Sequence, residues 1–189
     1  MDTERPILFD GDIRILLFDY LDENYGKIRT FEEKTVGNSR SDVLAVIPEK
    51  IIGIEIKSDA DTYTRLKTQV SDYDKYCDLC YILVGSSHLR HAAQHVPLYW
   101  GILYADQTEA EPIIRSAREA LPNPKVRLKN QLKLLWRREL RQLTVNNRLP
   151  KYDRKTRAFV TKMLVDRVSP DKLKAQICDA LFERDYTLI

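Results

Sequence analysis

The chain has 189 residues, 43% of them hydrophobic, and 31 basic against 28 acidic side chains, a net charge of +3. This is enough apolar content for one good core with a small appended unit, and with no run of about 18 apolar residues a membrane-spanning helix is not expected. Three cysteines, Cys77, Cys80 and Cys178, are too few and too odd for a disulfide scaffold; together with a charged Met1-Asp2-Thr3-Glu4-Arg5 start and no apolar signal segment after it, they point to a cytoplasmic protein.

From the beginning, Ile7 to Asn24 carries Ile7, Leu8, Ile13, Leu16, Leu17, Tyr20 and Leu21 at helical spacing, with Tyr25-Gly26 as a stop. Ile28 to Val36 reads as a strand whose second half, Glu32-Glu33-Lys34, is polar. Glu33 is either a solvated charge or a neighbour of the site described next.

After the turn Gly37-Asn38-Ser39, the stretch Ser39 to Ser58 reads as two β-branched strands joined at Pro48-Glu49. Three charges interrupt it: Asp42, Glu55 and Lys57. An even turn centred between Pro48 and Glu49 sets Ile47 against Lys50 and, counting outward, Asp42 directly against Glu55. Lys57, two residues on, then shares that face. Directly opposed like charges are unfavourable unless something compensates, and a hard divalent cation with oxygen ligands is the usual compensation. The expectation is a metal-binding edge open to solvent. An odd turn would put Asp42 and Glu55 on opposite faces, and a merely solvated polar face is the competing reading.

Ser58-Asp59-Ala60-Asp61-Thr62 offers N-cap residues for a helix from Thr62 to about Tyr76, with Leu66, Val70 and Tyr73 for a buried side and Arg65, Gln69 and Tyr73 forming one stripe. A right-handed crossover then leads to a parallel strand, Leu79 to Gly85. Cys77 and Cys80, a lone C-x-x-C with no second pair, read as packing residues rather than a zinc site. Leu89 to His95 is a short helix, with His88 and His91 as locally bonded histidines, and Tyr99 to Ala105 is a further strand. Thr108 to Asn123 is indefinite apart from a possible strand around Ile113-Ile114.

Asn130 to Leu143 reads as one strong helix, apolar through Leu132, Leu135, Trp136, Leu140 and Leu143 and cationic through Lys133, Arg137, Arg138 and Arg141, ended by Pro150. Two more helices follow, from about Arg154 to Val168 and from Ser169-Pro170 to Phe182. The chain thus divides into a core over 1–123 and a basic helical C-terminal subdomain over 124–189. Charge follows the division: residues 1–113 hold 20 acidic against 12 basic side chains, and 114–167 hold 4 against 16. A cationic block beside a carboxylate cluster suggests a polyanion held by one region and acted on by the other.

Strand, turn and strand bearing Ser41-Asp42 and Glu55-Ile56-Lys57, followed by a helix with Gln69 and Tyr73 and a further strand, resembles the PD-(D/E)XK nuclease superfamily. The wider run looks like a group of small bacterial proteins within it that have a helical tail: Arg40-x-Asp42, Glu55 to Thr62, Arg65-Leu66, Gln69-x-x-x-Tyr73 and Leu134-Leu-Trp-Arg-x-Glu139-Leu. Ser41 stands where the superfamily has its nominal proline. The resemblance implies an α/β, restriction-endonuclease-like mixed central sheet flanked by helices. It implies catalytic roles for Asp42, Glu55, Lys57 and Gln69, with Mg²⁺ or Mn²⁺ held by Asp42, Glu55 and the Ile56 carbonyl. It also implies that Gln69 and Tyr73 brace the site or touch the DNA backbone, and that Arg40, Arg65 and Tyr73 contact nucleic acid, DNA first, a set which the basic helix extends to Arg137, Arg138 and Arg141. The function expected is a metal-dependent nuclease; a non-catalytic nucleic-acid-binding or adaptor protein is the rival, with chemistry on another phosphorylated substrate a third. No homo-oligomer is indicated.

Overall fold

The computed structural model describes residues 8–107 and 111–187; the expectations for Ile7 and for Thr108 to Ala110 fall outside them. The first helix, α1 (Asp10–Tyr25), opens with Asp12 accepting the Phe9 N–H at 3.0 Å and closes at Gly26, whose φ of 62° an L-side chain would resist. Strands β1 (Arg29–Val36), β2 (Ser39–Ile47) and β3 (Lys50–Lys57) follow as an antiparallel meander. Ile47 pairs with Lys50 and Val43 with Ile54, the register expected from an even turn at Pro48-Glu49. Glu49 takes the left-handed conformation that lets the turn close.

Helix α2 (Leu66–Tyr76) crosses over to β4 (Leu79–Val84), which lies parallel to β3. The helix starts four residues later than its N-cap signals suggest, and Arg65 caps it without a side-chain hydrogen bond. The acidic residues ahead of it serve other backbones: Asp61 accepts the Ser58 N–H at 2.8 Å and Asp59 the Ser87 N–H at 3.0 Å. Helix α3 (Leu89–His95) and strands β5 (Gly101–Gln107) and β6 (Pro112–Arg118) complete a six-stranded mixed sheet in the order β1-β2-β3-β4-β5-β6. This is an α/β architecture, a mixed central sheet flanked by helices.

Side-chain alternation splits the core into two layers. On one face Ile13, Leu17 and Leu21 of α1 cover Val43, Ala45, Ile52, Ile54 and Leu83. On the other, Leu44, Val46, Ile51, Cys80 and Ile82 meet Tyr73, Cys77 and Trp100. The same layer continues without a break into Leu132, Leu140, Leu164, Leu173 and Ile177 of the C-terminal helices.

The single helix expected over 130–143 is three pieces: α4 (Leu128–Gln131), a 3-10 turn (Leu132–Leu134) and α5 (Arg137–Asn146). The break is stabilised from a distance. Glu139 accepts the Trp136 N–H at 2.5 Å, and buried Arg184 donates to Glu139 at 2.7 Å and to the Leu134 carbonyl at 2.9 Å. Arg157 donates to the carbonyls of Leu132, Lys133 and Leu135. These arginines satisfy the carbonyls that a helix break exposes. Helix α6 (Arg157–Arg167) is capped by Thr156, which accepts the Phe159 N–H at 3.3 Å, and α7 (Pro170–Phe182) runs over its expected span.

Gly53 decides how closely α2 approaches the sheet. A Cβ there would lie 2.6 Å from both Cys77 Sγ and Tyr73 Cδ1, a separation that neither can relieve without moving the helix. Gly53→Ala is expected to lower the unfolding free energy by about 1–3 kcal/mol, read as a lower urea midpoint. An unchanged midpoint would mean that the ring of Tyr73 is not held against β3.

Candidate active site

On β3, odd-numbered residues face α2, which places Glu55 and Lys57 under that helix, and the register extends to put Asp42 of β2 beside them. Glu55 is 0% exposed and its carboxylate is fully engaged. Lys57 Nζ donates to Oε1 at 2.7 Å, Gln69 Nε2 donates to the same oxygen, and the Tyr73 hydroxyl donates to Oε2 at 2.8 Å. The Tyr73 oxygen also accepts the Asp42 N–H at 3.0 Å, and Asp42 Oδ2 accepts the Ile56 N–H at 2.7 Å. The two acidic residues are thereby locked to each other through one phenol and one peptide.

Burial and the neighbouring Glu55 push the Asp42 carboxyl up to about 7. Burial also raises Glu55, against the pull of Lys57, Tyr73 and Gln69. Tyr73 is driven well above its ordinary range by burial and by Glu55, so it remains a donor throughout the physiological range. Two carboxylates that resist ionisation side by side mark a place where a cation would be favoured.

The arrangement opens to solvent on the Asp42 side. A cleft of about 610 Å³ is walled by Asp42 and Gln69 and by Asp10, Arg14, Glu33, Arg40, Arg65 and Thr68. The expectation of an edge open to solvent is therefore corrected: α2 covers Glu55 and Lys57, whose side chains are 0% and 8% exposed. Gln69 Oε1 is buried without a hydrogen-bond partner beside this cleft.

The remaining predicted residues divide. Arg40 and Arg65 line the cleft, and Arg40 pairs with Glu33. Tyr73 cannot touch a nucleic acid, because it is 0% exposed and spends its hydroxyl inside the cluster; its role is to position the two carboxylates. Arg137, Arg138 and Arg141 line a different cavity and are not brought to the Asp42 cleft. His88 and His95 pack against the Tyr63 ring rather than joining the site. Cys77 and Cys80 are buried free thiols.

One residue escaped the sequence reading. Arg14 of α1 donates to the Asp42 carbonyl at 3.1 Å while bonding to Asp10 at 3.0 Å and Glu32 at 3.3 Å. It ties the helix on one face of the sheet to the strand that carries Asp42. Its only signal in the sequence was the Asp10–Arg14 spacing of an i,i+4 pair.

The donor set can be tested against a divalent metal. Among the described residues no group of three His, Cys, Asp or Glu side chains converges to hold one, so Asp42 and Glu55 supply two carboxylates and further ligands would be the Ile56 carbonyl, water and substrate. This fits Mg²⁺, which keeps several waters and is commonly bound through one or two carboxylates plus phosphate oxygens.

A family model described as Bacteriophage P4 protein cII matches residues 9–187. Among solved structures, the chain is similar to the SPO1766 protein of unknown function from Silicibacter pomeroyi, at 23% identity over 65% of this chain and 75% of that one, with a TM-score of 0.46. It is also similar to Pyrococcus furiosus SfsA in complex with Ca²⁺, at 16% identity over 60% of this chain and 61% of that one, with a TM-score of 0.32. No curated protein matches significantly. Among the described residues, no helix is long and apolar enough to cross a membrane.

The raised carboxyl of Asp42 has a stability consequence. Between the unfolded value near 4 and the folded value of about 7, the unfolded chain binds fewer protons, so the stability of the metal-free protein falls as pH rises and stays reduced above it. Asp42→Asn removes that charge and should stabilise the protein in EDTA at pH 8 by about 1–3 kcal/mol, with little effect at pH 4. Equal stability of parent and variant at pH 8 would place Asp42 in an ordinary, solvated environment.

Proposed function

This chain belongs to the bacteriophage P4 protein cII family, and we propose that it is a metal-dependent phosphodiesterase acting on nucleic acid, DNA in the first instance. The observation that carries the reading is the joined cluster of Asp42, Glu55 and Lys57, held by Tyr73 and Gln69 at the wall of a cleft. Its resemblance to the PD-(D/E)XK pattern supports the same assignment. Lys57 and Arg14 both act on Asp42, yet its carboxyl and that of Glu55 stay raised, which fits a site built for a further positive charge.

In this reading Asp42 and Glu55, with the Ile56 carbonyl, hold Mg²⁺ or Mn²⁺. The ion supplies neutralisation of charge growing on the phosphate and a lowered pKa for water. Lys57, anchored on Glu55, orients the attacking water by hydrogen bonding and keeps it in line with the phosphorus. Gln69 restrains the Glu55 carboxylate and offers its free carbonyl oxygen to that water or to the substrate. Tyr73 fixes the Glu55 carboxylate against the main chain of Asp42, so that Glu55 is already in place before substrate arrives. Arg65 and Arg40, at the rim of the cleft, are suited to phosphate oxygens on either side of the scissile bond.

The test is incubation of the purified protein with linear, nicked, single-stranded and branched DNA in Mg²⁺ or Mn²⁺. Cleavage is expected on at least one substrate, abolished by EDTA and reduced by about 10²–10⁴-fold in Lys57→Ala, with a comparable loss in Asp42→Asn. If no substrate is cut, or if both variants cut as well as the parent, the reading fails; nucleic-acid binding that survives both substitutions would favour the non-catalytic alternative.

A further inference from the structure

Between α5, the 150–156 segment and α6 lies a cavity of about 620 Å³ that shares no lining residue with the Asp42 cleft. Five cationic side chains surround it, Arg137, Arg138, Arg141, Lys155 and Arg157, with Asp153 as the one carboxylate. Asp153 is already engaged by Arg141 at 3.2 Å. Two of the arginines are fixed in place by main-chain acceptors: Arg137 donates to the carbonyls of Asp153 and Lys155 at 3.2 and 3.1 Å, and Arg157 to that of Lys133 at 2.8 Å. A carbonyl sets the direction of a guanidinium without cancelling its charge. The cavity therefore gathers positive charge on side chains of which Arg137 and Arg157 are already oriented by main-chain carbonyls, which is the electrostatic form of an anion site.

Its other wall narrows the class of anion. Leu140 and Val160 give an apolar floor, and Tyr152 forms a side, its ring held edge-on to Phe159 at a centroid distance of 5.3 Å. A braced aromatic ring among cations suits a base with its phosphates: the ring stacks on the base and the guanidinium groups take the phosphate oxygens. The volume lies within the roughly 300–1,000 Å³ typical of ligand sites. Bases paired inside a duplex cannot present a face to Tyr152, whereas an unpaired strand can.

We propose that this cavity holds a segment of single-stranded nucleic acid, one base stacked on Tyr152 and the adjoining phosphates on Arg141 and Lys155. The proposal rests on the phosphodiesterase reading for its purpose, since it would give the enzyme a grip on an unpaired strand away from the site of cleavage. Its test does not depend on cleavage. Binding of a labelled short single-stranded oligonucleotide is followed by fluorescence anisotropy in EDTA, with matched duplex and adenosine monophosphate as competitors.

The single strand is expected to bind the parent and to be displaced poorly by duplex. Tyr152→Ala should weaken binding by at least about fivefold, while Tyr152→Phe, which keeps the ring, restores it. Arg141→Gln with Lys155→Gln should lower the slope of log affinity against log salt by about 0.7 per lost phosphate contact. The proposal is overturned if Tyr152→Ala and the double variant, both folded by circular dichroism, bind like the parent; if duplex competes as well as the strand; or if adenosine monophosphate saturates the protein while the strand does not bind. Cleavage lost with strand binding retained would defeat the nuclease reading alone, and strand binding lost with cleavage retained would defeat this one alone.

Discussion

A carboxylate buried under a helix sets the terms for the rest of this protein. Glu55 has no exposed surface, and an ionised carboxyl in that position is tolerated only if each of its oxygens finds a donor. Lys57, Gln69 and Tyr73 meet that need, but only if α2 lies close enough to β3 for a tyrosine ring to pass beneath it. Gly53 permits the approach, and β4, parallel to β3, fixes where the helix must end. The site and the crossover are thus one construction: remove the tight helix–strand contact and the carboxylate loses its donors.

The same constraint explains why the cluster is off balance. Burial lifts the carboxyl of Asp42, and Glu55 beside it lifts it further. A core under selection for stability alone would replace such a pair with apolar side chains at little or no cost. Retaining two carboxylates and one lysine, with Asp42 alone of the three at the cleft and its backbone bound by a phenol and by Arg14 from the opposite face of the sheet, is what the proposed metal-dependent chemistry would call for.

How much of this the sequence disclosed depended on the range of the interactions involved. The β2–β3 register followed from a local turn, since Pro48 fixes one backbone angle and the alternation of side chains does the rest; Asp42 and Glu55 on one face was a consequence of counting. The crossover helix and its parallel strand followed from periodicity and handedness. Burial of Tyr73 followed too, from its spacing with Leu66 and Val70; the bonding of its hydroxyl to Glu55 and to the Asp42 N–H did not, because that close approach hangs on a missing Cβ at Gly53, twenty residues away. The interruption at Leu135-Trp136 was equally hidden. Leu132, Leu135, Leu140 and Leu143 keep a helical period straight through it, and only Arg184, 45 residues beyond Glu139, reveals why the helix stops and restarts. The Leu134-Leu-Trp-Arg-x-Glu139-Leu motif is accordingly a capping device that docks the end of the chain onto its middle.

That docking changes the meaning of the basic block. Read as a string, sixteen cations between 114 and 167 look like a diffuse electrostatic tail. In three dimensions they do different jobs. Arg157 holds the broken helix by its carbonyls, Arg118 donates to the Trp100 and Pro97 carbonyls, and Lys125 pairs with buried Asp74 at 3.0 Å. Those side chains are held in place by the fold, and the apolar faces of the C-terminal helices continue the same core that covers one face of the sheet. A family match running from residue 9 to 187 agrees with this: sheet and helices go together. The cations gathered around the cavity and the cleft stand at defined places, so the affinity of a nucleic acid bound through them would depend on particular side chains more than on net charge.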